Sequence, residues 1–176
     1  MKVGIISDTH KKLGRAKRAI DLLVENGAEF IVHAGDIVRE EVLEYLEEQK
    51  IRYVAVLGNN DYHLYDLVEK YELVSEPFYF KLAGKTWKLM HYPRYMFPLD
   101  TDIIVYGHTH DVDITFNGKN LILNPGEVCA RDHGFSTCMM LEIDKNEYVV
   151  TLYYRKIKED LWKTKVKKFE IPQGIQ

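Results

Sequence analysis

The chain is poor in the residues that staple or anchor a protein. Its 176 residues include two cysteines, Cys129 and Cys138, with no CxxC spacing. That rules out a disulfide framework and fits two reduced thiols in a cytoplasmic protein. No stretch approaches the roughly 18 apolar residues of a membrane-spanning helix. The opening MKVGIISDTH turns polar too soon for a secretory segment. A soluble, cytoplasmic protein with no membrane partner is the expectation. Neither sign of charge is in excess, with 24 basic and 27 acidic side chains and a net charge of −3. This argues against a surface that coats nucleic acid, so no stable nucleic-acid complex is expected, although a local basic patch remains compatible. Only three glutamines stand against 17 lysines and 15 glutamates, a balance of the thermophilic kind. No repeat, low-complexity tract or linker divides the chain. At 46% apolar and 29% charged residues, it reads as one domain over 1–176 with an ordinary core.

The first third alternates short apolar runs with helical periodicity. Val3–Ile6, Phe30–Val32 and Val54–Leu57 read as buried strands. Between them, Ala16, Ala19, Ile20 and Leu23 predict one helix, and Val38, Val42, Tyr45, Leu46 and Gln49 a second. Leu64, Leu67, Val68 and Tyr71 predict a third. Such alternation implies parallel strands, whose carboxyl ends gather ligands. From Pro77 the pattern turns β-rich, with a hairpin at 78–82 and 87–90 around Ala83-Gly84. Strands follow at 103–106, 121–123, 136–143 and 148–155, with a turn at Asn117-Gly118. Residues 156–176 read as a charged extension, with six lysines against three acids.

The polar residues that close these strands form a chemical set. Asp8-x-His10 and His108-x-His110 are i, i+2 pairs; in extended backbone both members of a pair face one side. Asp36, Asn59 and His91 close or follow other apolar runs. Two carboxylates, an amide and four imidazoles suit Mn²⁺, Fe²⁺, Ni²⁺, Co²⁺ or Zn²⁺ better than Ca²⁺.

The ordered blocks Asp8-x-His10, Gly35-Asp36, Gly58-Asn59, His91 and Gly107-His108-x-His110 resemble the calcineurin-like metallophosphoesterases. The likeness is to their small, cap-less bacterial and archaeal phosphodiesterase branch, over about residues 1–155. It implies an α/β fold: a four-layer α/β/β/α sandwich of two mixed sheets flanked by helices. It also implies two divalent metal ions, manganese first among them. Asp8, His10 and His110 would hold one and Asn59, His91 and His108 the other, with Asp36 between. Asn59, Asp36 and His108 become the catalytic residues, and a metal-bridging hydroxide the nucleophile that attacks a small phosphodiester or nucleotide substrate.

Several positions depart from the family pattern. Many members have histidine after Gly-Asn, where Asn60 stands here, so proton donation to the leaving group should be weak. Lys11 follows where glycine is usual, and Arg94 lies just past His91; with Asn59 and Asn60 these are the candidate substrate contacts. Tyr92-Pro93 replaces the glycine expected after His91. His33 reads as a core histidine or one that steadies a ligand, His63 as a surface residue, and His133 and Arg131 as structural. The alternatives are a phosphomonoesterase with the same centre, or a non-catalytic interaction scaffold like the retromer subunit built on this fold. A homodimer is a further expectation, from the family and from Tyr153, Tyr154 and Trp162.

Overall fold

A computed structural model describes residues 1–172. Strand β1 (Lys2–Ile6), helix α1 (Leu13–Glu25), β2 (Phe30–His33), α2 (Glu40–Glu48), β3 (Arg52–Val56) and the two-residue β4 (Leu73–Val74) follow in order. Next come β5 (Phe78–Leu82), β6 (Lys85–Leu89), β7 (Ile103–Val105), β8 (Val112–Phe116) and β9 (Leu121–Pro125). The last three strands are β10 (Phe135–Ile143), β11 (Glu147–Lys156) and β12 (Lys163–Glu170).

These strands form two mixed sheets. The seven-stranded sheet runs β12-β11-β10-β1-β2-β3-β4, with β1 to β4 parallel. The five-stranded sheet runs β5-β6-β7-β9-β8, with β6, β7 and β9 parallel. Period-two alternation sorts β1 between two cores. Val3 and Ile5 face inward against Trp87, Leu89, Val105 and Leu123 of the other sheet. Ile6 faces outward against Ala16, Ile20 and Leu23 of α1 and Leu43 and Leu46 of α2. Because β1 is covered on both faces, it reads as an unbroken apolar run. The outer layers are unequal. The seven-stranded sheet carries α1 and α2, whereas the five-stranded sheet is covered by a single 3₁₀ turn, Pro93–Tyr95, and its loop over Met90, Ile104, Tyr106 and Ile122.

Local differences from the sequence reading have physical reasons. The helix predicted from Val38 begins at Glu40, because Val38 has φ 63° and donates its N–H to Asp61. The helix predicted around 64–71 is a 3₁₀ helix, Tyr62–Leu67, whose one buried side chain is Leu64. Beyond it the chain enters β4 beside β3. Within the charged extension, Lys163–Glu170 pairs antiparallel with β11 as an edge strand rich in lysine. Residues 173–176 of that extension lie outside the described residues. The hairpin at Ala83-Gly84 has positive φ at both turn residues, the mirror-image turn that suits strand twist.

His33, at the end of β2, is fully buried. Its Nδ1 accepts the Gly35 N–H at 3.2 Å, so the ring proton sits on Nε2, 3.1 Å from the Thr9 hydroxyl. Burial pushes its pKa down to about 3. The unfolded chain therefore binds one more proton than the folded one from pH 6.5 down to about 3, so this contribution is complete above 6.5 and fades on acidification. Urea unfolding in EDTA should show a stability loss of about 1.4 kcal/mol per pH unit from this residue in that window. His33→Gln should flatten the slope by that amount; an identical slope in the variant would refute the assignment.

Candidate metal centre

The carboxyl ends of β1, β2 and β3 in one sheet meet those of β6, β7 and β9 in the other. Asp8, Asp36 and Asn59 arrive from the first sheet, and His91, His108 and His110 from the second. The approach leaves no space for side chains at the junction. A Cβ on Gly107 would lie 2.2 Å from the Ser7 hydroxyl and one on Gly35 2.7 Å from His91 Nδ1, both across the junction; within the first sheet, one on Gly58 would lie 2.3 Å from the Asp36 nitrogen. Gly58 does not take a positive φ, so its closeness to Asp36 is what excludes a side chain there.

The i, i+2 pairs do not keep the extended backbone. Asp8, His10, His108 and His110 all take left-handed conformations, with φ of 54°, 44°, 68° and 63°, and Asp36 has φ 53°. Five non-glycine residues in that region store strain at one place, a pattern associated with functional sites. Cross-bracing holds the loops: the Asp8 N–H donates to the Gly35 carbonyl and that of His10 to the Asp36 carbonyl, each at 3.0 Å.

Two clusters of lone pairs result. In the first, Asp8, His10 and His110 converge. The Nε2 atoms of His10 and His110 stand 3.4 Å apart, and His110 Nε2 is 3.1 Å from Asp8 Oδ1. Asp8 Oδ2 accepts hydrogen bonds from the Ser7 hydroxyl and the His108 N–H, while the buried Oδ1 has no hydrogen-bond partner. In the second, Asn59 Oδ1 lies 3.0 Å from His91 Nε2 and 3.1 Å from His108 Nδ1. His91 Nδ1 lies 2.8 Å from the Ala34 carbonyl, which requires the proton on Nδ1 and leaves Nε2 as a lone pair facing the Asn59 oxygen. Asp36 stands between, with Oδ2 3.6 Å from His10 Nε2 and Oδ1 3.5 Å from His91 Nε2. Acceptors aimed at one another, with an orphaned carboxylate oxygen, are unfavourable unless a cation lies among them. The donor set therefore fits divalent metal ions of the oxygen- and imidazole-binding kind.

The electrostatics agree. Burial works to raise the Asp8 pKa, but His10 and His110 outweigh it and hold the carboxyl well below the ordinary range. Burial, with His91 alongside, lowers the pKa of His108, keeping the ring neutral. Burial also disfavours charge on His110, yet Asp8, Glu127 and Asp132 raise its pKa overall. The clusters differ in access: Asp8 and His110 are buried, whereas Asn59 and His108 are exposed.

The remaining candidates fall around this centre. Asn60 clamps Asp36, its backbone N–H on Oδ1 at 2.9 Å and its side-chain NH₂ on Oδ2 at 2.7 Å. Asp61, next in the chain, accepts the N–H groups of Gly58, Ile37 and Val38. Arg94 lies over the Tyr92 ring, which packs at a tilt against His108 with centroids 4.3 Å apart, so the Tyr92 departure from the family pattern braces a site histidine. Lys11 is exposed beside His10. His63 is exposed and bonds the Val38 carbonyl, and His133 lies 3.1 Å from Asp111.

Two carboxylates escape the sequence reading. Glu76 accepts the N–H groups of His91 and Tyr92 at 2.6 and 2.7 Å, and no local signal marks it. Glu127 lies 2.9 Å from His110 Nδ1, as does Asp132, at ion-pair distance without hydrogen-bond alignment. It also accepts the N–H groups of Arg131, Asp132 and His133. Burial favours its neutral form, but these donors and the Cys129 thiol lower its pKa. It closes β9, so the strand-end rule applied to that strand identifies it. The negative charge beside Nδ1 keeps the proton there and leaves Nε2 to face the centre. Glu127→Gln should weaken Mn²⁺ binding about 10- to 100-fold by calorimetry. Unchanged affinity would remove Glu127 from the site.

Comparison with known proteins follows the same outline. The family model for the calcineurin-like phosphoesterase superfamily domain matches residues 1–146. The phosphodiesterase MJ0936 of Methanocaldococcus jannaschii is 29% identical over 162 residues, covering 84% of this chain and 96% of the relative. The phosphodiesterase YfcE of Escherichia coli K12 is 26% identical over 147 residues, covering 73% and 79%. The structure of vacuolar protein sorting 29 from Cryptosporidium parvum superposes with a TM-score of 0.77 at 20% identity, covering 96% and 97%. That likeness is one of fold. With five sequence blocks brought to one junction between two mixed sheets, the chain belongs to the calcineurin-like phosphoesterase superfamily, hydrolases of phosphoric esters.

Proposed function

We propose that the protein is a divalent-metal-dependent phosphodiesterase acting on small phosphodiesters or nucleotides. The observation that carries this reading is the pair of lone-pair clusters on either side of Asp36. Asp8, His10 and His110 would hold one ion, Asn59, His91 and His108 the other, and Asp36 both. Divalent ions, Mn²⁺ foremost, supply Lewis acidity that brings the pKa of water toward neutrality and offsets charge growing on phosphoryl oxygens.

The chain's own residues do the positioning. Asn60 fixes both oxygens of Asp36, and Glu76 fixes the backbone at His91. The exposed cluster of Asn59 and His108 is the approach for a phosphate, and Arg94 shares a small hollow of about 220 Å³ with Asn59. Lys11 and Asn60 line the opposite approach. Asn60 is an amide and cannot protonate a leaving alkoxide. Substrates with good leaving groups are therefore favoured over alkyl esters.

A phosphomonoesterase would use the same centre. The scaffold alternative draws on the fold shared with vacuolar protein sorting 29, but here every position of the expected ligand set is present and converges. Cytoplasmic residence, supported by two buried free thiols, and a homodimer belong to the same proposal.

Mn²⁺ should activate hydrolysis of bis-p-nitrophenyl phosphate, and EDTA should abolish it. His108→Ala should lower kcat at least about 100-fold, the scale of losing one stabilising group in a transition state. Undiminished turnover in that variant, or p-nitrophenyl phosphate as the better substrate, would overturn the reading. A matched alkyl diester should turn over far more slowly than the aryl one; equal rates would show that a proton donor is present after all.

A further inference from the structure

The near-neutral net charge conceals a strongly basic region beside the centre. A cavity of about 1050 Å³ opens from His10 and is walled by Lys11, Lys12, Arg15, Arg39 and Arg131. A second hollow of about 410 Å³ shares four of these side chains and adds Arg18 and Arg155. Acidic compensation is sparse. Arg39 pairs with Glu41, Arg131 with Asp132, and exposed Arg18 lies 3.8 Å from the fully solvated Asp160. Lys11 and Lys12 have no ion-pair partner among the described residues.

Arg155 supplies an independent observation. Its side chain is 2% exposed, and no carboxylate among the described residues pairs with it. One guanidinium nitrogen donates to the Glu159 carbonyl, the group lies over the Trp162 ring, and the buried Nε has no hydrogen-bond partner. Burial disfavours its charge and Arg18 adds to that effect, with Asp160 offsetting only part of it. A buried guanidinium with no carboxylate at ion-pair distance is costly, and an anion entering the hollow relieves it. Arginine's forked donors suit phosphate in particular.

We propose that the two cavities form one groove that binds a second, non-reacting phosphate of the substrate. The favoured substrates are then phosphodiesters of the nucleotide class with a further phosphate on one arm. This rests on the phosphodiesterase reading above. The groove starts at the centre itself, because His10 lines the same cavity as Lys11 and Lys12. Tyr62, 77% exposed on the cavity wall, offers a face for a base to stack on. The metal centre acts on the diester, and the groove selects the substrate by its second charge.

The test compares two esters with one leaving group: thymidine 5′-(p-nitrophenyl phosphate) and the same compound phosphorylated at the 3′ oxygen. The 3′-phosphate should raise kcat/KM about tenfold or more with the Mn²⁺-loaded protein, mainly through KM, and added salt should erode the gain. Arg18→Ala and Lys12→Ala should each pull the ratio toward one. A ratio near one in the unaltered protein, or a ratio untouched by both substitutions, overturns the proposal. Pyrophosphate titrated into EDTA-treated protein should bind saturably, and more weakly to Arg18→Ala; absence of binding also overturns it. Hydrolysis of neither ester, with pyrophosphate binding intact, would instead remove the phosphodiesterase reading and with it the assignment of the groove to substrate.

Discussion

The structure depends on how closely the two sheets approach at their carboxyl ends. Gly35 and Gly107 mark the contact, since a Cβ at either would collide with the His91 ring or the Ser7 hydroxyl of the facing sheet. This proximity brings donors that follow five strands within reach of one another. The inner core sets the spacing, with Val3, Ile5, Val32 and Val56 packed on Trp87, Leu89, Val105 and Leu123. Close packing makes that spacing stiff, so the site inherits its precision from apolar contacts that take no part in the chemistry.

At this junction, stability and function pull in opposite directions. Asp8 Oδ1 is buried without a hydrogen bond, His91 Nε2 faces an amide oxygen, and five residues hold left-handed backbone. Each is unfavourable in the protein alone, and cations turn the first two into assets. The supporting carboxylates work the other way. Glu76, Asp61 and Glu127 accept two or three backbone N–H groups each and lock the loops that carry the ligands. The basic groove extends the same logic outward, because Arg155 is buried with its Nε unbonded and no carboxylate at ion-pair distance.

Most of the architecture was legible because buried parallel strands leave unbroken apolar runs and their ends carry the polar residues. The ligand candidates were legible for the same reason. The i, i+2 spacing was informative, but the extended geometry behind it does not occur; alternating left-handed residues bring the side chains together instead. Helical periodicity at Leu64, Leu67 and Tyr71 overstated the helix, since a spacing of three also suits a 3₁₀ turn. Within the charged C-terminal segment, lysines at an exposed edge strand look like those of a solvated tail. Glu127 was readable in principle from its place after β9, and Glu76 was not, because its role exists only through contact with His91.

What the sequence determined by itself is the inventory: parallel strands alternating with helices, a β-rich second half, and seven candidate ligands in order. These follow from local periodicity and residue chemistry, which are properties of neighbours in the chain. Only the tertiary structure decided which lone pairs face each other, which carboxylates brace the histidines, and where the lysines and arginines gather. Arg18 and Arg155 are 137 positions apart in the chain, and only the folded chain puts them on one hollow. A net charge of −3 carries no trace of that groove, because a sum over residues discards position.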